Sequence, residues 1–61
     1  MLELLTINEV AEFLKVSPTS VRRLQQGRQL PFIKVGGSVR FDKNDIIKYL
    51  NRQRVEAING F

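Results

Sequence analysis

The sequence predicts a small, mainly α fold carrying one β-hairpin, in the order helix, tight turn, helix, hairpin, helix. Three observations predict it. Apolar residues recur at helical spacing in two segments separated by only about three residues. A Gly36-Gly37 pair stands between two runs that alternate apolar and polar residues, and a third helical pattern opens directly after the second run.

The first helix is expected over about residues 7–15. Thr6-Ile7-Asn8-Glu9 has the capping-box form, in which the Thr6 hydroxyl accepts from the amide of Glu9 and the Glu9 carboxylate accepts from the amide of Thr6. Ile7, Val10, Ala11 and Leu14 make a buried stripe with Phe13 at its edge, while Glu9 and Glu12 face water. Met1 to Leu5 reads as a brief apolar stub containing Glu3, without the pattern of a signal peptide.

The second helix is expected over about 18–26. Ser17 can cap it through its hydroxyl, and Pro18 fits the first helical position, where no amide donor is needed. Gly27 is expected to be the left-handed residue that ends it, and Val16 the apolar plug of the preceding turn. At 100° per residue, Val21 and Leu24 form a narrow inward stripe, with Thr19, Arg22, Arg23 and Gln26 around the opposite side. That outer side carries the residue types that bond phosphates and base edges in a major groove.

Pro31 keeps Leu30 out of helical conformation and starts the hairpin, expected over about 32–41. Ile33, Val35, Val39 and Phe41 are expected on one face, closing the core, with Lys34, Ser38 and Arg40 on the other and Phe32 covering the base from the outer side. A two-stranded hairpin is marginal alone, so its apolar face must rest on the helices. Asp42 then caps a helix expected over about 43–58, with Asp45 at its third position; Ile46, Tyr49 and Leu50 form its buried stripe, and Asn59-Gly60 stops it.

A chain of 61 residues is expected to be one domain without a deep substrate cavity. With neither cysteine nor histidine there is no thiolate, no disulfide scaffold and no imidazole base or ligand. No nucleophile–base pair or metal cluster can be assembled, so the chain is expected not to be an enzyme and to use no cofactor or small-molecule ligand. Charge interrupts every apolar run, which excludes a membrane span. The absence of cysteine fits a cytoplasmic setting.

The net charge is +4, and it is unevenly placed. Residues 1–16 set Lys15 against Glu3, Glu9 and Glu12. Residues 17–43 set Arg22, Arg23, Arg28, Lys34, Arg40 and Lys43 against Asp42 alone, and residues 44–61 are nearly balanced. Cations concentrated in the middle third point to an anionic partner.

The ordered set Leu5-Thr6, Glu9-Val10-Ala11, Leu14 to Ser17, Val21-Arg22-Arg23-Leu24, Leu30-Pro31, Lys34-Val35-Gly36-Gly37, Arg40-Phe41 and Asp45-Ile46 resembles the excisionase-type, MerR-like winged helix-turn-helix domains. The resemblance covers residues 4–50, with Tyr49-Leu50 where the family usually has Trp-Leu. It departs at Lys15, where the family commonly has glycine and where a left-handed lysine costs about 1 kcal/mol. Ser38 replaces a frequent basic residue, and the chain continues past Leu50.

The resemblance implies sequence-specific binding of double-stranded DNA, with the second helix in the major groove and the hairpin, as a wing, on the backbone or minor groove. Carried over by position, those roles fall to Pro18, Thr19, Ser20, Arg22, Arg23 and Gln26, and in the wing to Lys34, Gly37, Ser38 and Arg40. Family members include excisionases of mobile elements, which bend DNA and recruit a tyrosine recombinase (integrase), and small MerR-like transcriptional regulators. The expected role is an excisionase-like architectural factor, with a small regulator as the alternative and a protein-interaction module that binds no DNA as the rival of another class. Ile47, Val55, Ile58 and Phe61 exceed what one small core can bury, so they fold back on the first helix, are left partly exposed at a fraying end, or contact a recombinase or a neighbouring copy on DNA.

Overall fold

The computed structural model describes residues 2–56. Strand β1 (Leu4–Leu5) precedes helices α1 (Ile7–Leu14) and α2 (Pro18–Gln26), strands β2 (Ile33–Val35) and β3 (Ser38–Asp42), and helix α3 (Lys43–Gln53). The fold is a winged helix-turn-helix in which the expected hairpin has grown into a three-stranded antiparallel sheet of order β1-β3-β2.

Strand β1 is absent from the sequence reading. Leu4 lies opposite Asp42 and Leu5 opposite Phe41, and the Lys43 amide donates to the Glu3 carbonyl at 2.9 Å. Two residues carry no readable alternation of their own. They become a strand because β3 offers a free edge and Leu5 reaches the core beneath it, where it is 8% exposed.

The capping box forms as read: the Thr6 hydroxyl accepts from the Glu9 amide at 3.1 Å, and a Glu9 carboxylate oxygen accepts from the Thr6 amide at 2.8 Å. Helix α1 stops at Leu14, one residue short of the expected end, because Lys15 turns left-handed at φ 61° and ψ 41°. Its amide and that of Val16 then donate to the carbonyls of Glu12 and Ala11, satisfying groups that an open helix end would leave to water. Val16 does not plug the turn; this closure carries it outward, and it is 43% exposed.

Among the described residues, seven make the core: Leu5, Val10, Ala11, Val21, Leu30, Phe41 and Ile46, with Ile7, Leu14, Leu24, Val39 and Tyr49 packed at its margin. Every element but β2 contributes, together with Leu30 from the connection after α2. Leu50 was expected in the buried stripe of α3 but is exposed, as is Ile47. Helix α3 ends at Gln53, with Arg54 already extended, rather than running to 58; residues 57–61, including Ile58 and Phe61, lie outside the described residues.

The faces of the hairpin differ from the sequence reading. With Gly36-Gly37 as the two-residue loop, Val35 lies opposite Ser38, Lys34 opposite Val39 and Ile33 opposite Arg40. Residues directly opposite each other share a face, so Ile33 and Val35 side with Ser38 and Arg40, whereas Lys34 sides with Val39 and Phe41. Alternation continued straight through a two-residue loop puts Ile33 and Val35 with Val39 and Phe41, but the pairing across that loop reverses the parity of one strand. Phe41 is accordingly fully buried, while Val35 is 52% exposed. Gly36 takes φ 62° and Gly37 does not take a positive φ, the pattern of a type II′ turn.

Candidate nucleic-acid interface

Helix α2 is fixed at both ends by its own sequence. The Ser17 hydroxyl accepts from the Ser20 amide at 3.2 Å, and Pro18 occupies the first turn. At the other end Gly27 sits at φ −80° and ψ 4°, so it is not the left-handed residue; Arg28 is, at φ 59°. The Arg28 amide donates to the Gln25 carbonyl at 3.1 Å and the Gln29 amide to the Leu24 carbonyl at 2.9 Å. That paired closure requires the left-handed turn one residue after Gly27, and it directs Leu30 into the core.

Val21 is fully buried and Leu24 half-buried, while α2 packs on α1. The opposite side is thereby turned to water: Thr19, Arg22, Arg23 and Gln26 are all exposed, as is Pro18. Thr19 and Gln26 are seven residues apart, so this face is about 10 Å long, close to three base steps of a duplex. Ser20, a candidate contact by the resemblance alone, lies apart from this face. It is half-buried and its hydroxyl lies 3.1 Å from that of Ser17, so it belongs to the cap.

Among the described residues, the ion pairs are Lys43 with Glu3 at 3.7 Å and Arg54 with Glu56 at 3.4 Å. Among those residues, no carboxylate lies within that reach of Arg22, Arg23 or Lys34, which are exposed. Cations left in this way carry their full field into solvent, where a polyanion meets it.

The wing residues separate. Lys34, Gly37 and Ser38 are exposed, with Gly37 at the tip. Arg40 is half-buried and its Nη1 donates to the Val39 carbonyl at 2.9 Å, so its guanidinium lies back along its own strand. Gln26 and Ile33 are seven residues apart, and chain length alone holds them within about 25 Å, less than the roughly 34 Å of one duplex turn.

Two cationic residues of the middle third behave otherwise than their sequence position indicates. Lys43 belongs to the acidic side: it lines a shallow pocket with Glu3, Leu5, Glu9, Glu12 and Phe13, pairs with Glu3 and stands 5.8 Å from the centroid of the Phe13 ring. Arg28, absent from the residues assigned to the interface, is exposed at the junction of α2 and the wing. Its signal in the sequence was its place directly after a helix-ending glycine.

Among the described residues no helix is long and apolar enough to cross a membrane. The family model described as a helix-turn-helix domain matches residues 4–54. No curated protein and no solved structure matches the chain. With a match over most of its length, the chain belongs to the helix-turn-helix domain family found in excisionase-type proteins.

Proposed function

We propose that the chain binds duplex DNA in a sequence-specific manner, laying the outer face of α2 in the major groove and the wing against the backbone or minor groove. Membership of the helix-turn-helix family supports DNA binding. The observation that carries the reading is the unpaired, exposed cationic face of α2, held outward because Val21 and Leu24 anchor the other side. In this reading Thr19, Arg22, Arg23 and Gln26 face the groove with Pro18 at its edge, Ser20 holds the helix start, and Lys34, Gly37, Ser38 and Arg40 form the wing contact. The role is that of an excisionase-like architectural factor of a mobile element, which sets the direction of recombination. Exposed Ile47 and Leu50 on α3 favour a protein contact there, with a recombinase or a neighbouring copy.

Lys43 is paired with Glu3, and the four cations of the α2 face and the wing, Arg22, Arg23, Lys34 and Arg40, by themselves give log affinity a fall with log salt of slope about −3.6. Titration of labelled duplex across a salt series measures it, and a slope near zero refutes the electrostatic basis. Arg23→Ala is expected to cost about 1–3 kcal/mol on a specific site and less on random duplex; equal loss on both makes Arg23 a phosphate contact. Protection mapping on DNA flanking the encoding gene tests the role. Direct repeats beside a recombination site support the excisionase reading, and an inverted repeat over a promoter replaces it with a regulator. Deleting residues 52–61 tests a contact through the tail, and Ile47→Ser with Leu50→Ser tests the contact on α3; reduced cooperativity or recruitment is expected, and unchanged values in both variants remove the protein contact.

A further inference from the structure

The closure of α2 accounts for a left-handed turn at position 28 but not for the arginine that fills it, and Arg28 has three properties together. Among the described residues, it is one of two non-glycine residues with positive φ, it is exposed, and no carboxylate of theirs lies within ion-pair distance. A left-handed arginine is strained, because its Cβ crowds the following carbonyl. The strain is avoidable in principle, since glycine takes this conformation freely and Gly27 stands one position earlier, in a conformation that needs no glycine. Backbone strain retained at an exposed residue directs attention to what the side chain does.

The surroundings supply a candidate. Arg28 lines a shallow cleft with Leu30, Pro31 and Phe32, between the end of α2 and the start of β2. Leu30 is fully buried and fixes the floor, while Phe32 is half-exposed on the rim. The cleft therefore offers one guanidinium beside an aromatic ring and a proline, a cation next to an apolar wall. A phosphodiester backbone presents the complementary pair, an anionic phosphate next to an apolar sugar edge.

We propose that Arg28 and Phe32 form a seat for one phosphate and its sugar, on the strand that runs between the groove occupied by α2 and the wing. This rests on the reading of the chain as a duplex-DNA binder and adds to it a contact between its two parts. The guanidinium donates two N–H groups to phosphate oxygens, and the ring and Pro31 cover the sugar. Because a phosphate is the same in every sequence, the seat contributes affinity and register without reading a base. A fifth phosphate cation also steepens the salt slope from about −3.6 to about −4.5.

The Arg28→Gly variant separates this seat from a structural role, since it removes the guanidinium and relieves the strain together. The expected results are a rise in Tm of about 4–8 °C, a roughly tenfold loss of affinity that is the same on specific and random duplex, and a salt slope shallower by about 0.9. Arg28→Lys is expected to keep the slope, and Phe32→Ser to weaken binding without changing it. A chain carrying Arg28→Gly that binds with unchanged affinity and slope, while the parent protein binds duplex, overturns the seat and leaves the DNA reading standing. A parent protein that binds no duplex at low salt overturns both.

Discussion

Leu5→Ala tests the element that the sequence conceals. Leu5 is 8% exposed on β1, lies opposite the fully buried Phe41 and joins the central core, whereas its neighbour Leu4 points to the other face and is 40% exposed. Removing three buried carbons from Leu5 forfeits about 2.4 kcal/mol of transfer free energy at about 0.8 kcal/mol per group. A short edge strand can relax inward, which keeps the added cavity penalty small, so the expected loss is about 2–3 kcal/mol. A domain of 61 residues has about 3–9 kcal/mol in total. Leu5→Ala should therefore lower Tm by about 10–20 °C, and Leu4→Ala should cost less than about 1 kcal/mol. Urea and thermal unfolding followed by far-ultraviolet circular dichroism measure both. Equal losses in the two variants, or a loss under about 1 kcal/mol for Leu5→Ala, refute the docking of β1.

The wing parity makes a paired prediction: Val39→Thr should destabilise by about 1 kcal/mol and Val35→Thr by less than about 0.5, read from urea midpoints. If Val35 were inward the order would reverse. Gly36→Ala should cost about 1 kcal/mol because φ is 62° there, whereas Gly37→Ala, with no atom within 4 Å of the added carbon, should fall within about 0.5 of the parent. Ser17→Ala removes the cap of α2 and should lower stability by about 1 kcal/mol without changing the urea m-value.

The three helix starts were legible to the residue, because a cap is a local device: Thr6, Ser17 and Asp42 each bond an amide two or three residues ahead, at 3.1, 3.2 and 3.0 Å. Helix ends were less legible. Gly27 carried the strongest stop signal, yet the left-handed turn fell on Arg28, because which carbonyls the exiting chain satisfies depends on where it must go next, here into the core through Leu30. The outward set on α2, Thr19, Arg22, Arg23 and Gln26, was readable from two apolar residues and a 100° step; Ser20, which only the resemblance added, is half-buried because it serves the cap. Arg28 and Phe32 could not be placed beside each other by spacing, because the bend at Leu30-Pro31 that brings both to one cleft has no period.

Local chemistry in the sequence determined where each helix begins, which stripe of α1 and α2 turns inward, where the hairpin reverses and where the positive charge is concentrated. Those properties depend on neighbours within about four residues, which one turn of helix or one tight turn brings together. Tertiary structure alone decided that Leu4–Leu5 is a strand, which wing face meets the core, and that Lys43 sides with Glu3 and Phe13 while Arg22 and Arg23 remain unpaired. Each of those outcomes joins residues distant along the chain, or turns on a parity set by strand pairing, and neither is encoded in a short window of sequence.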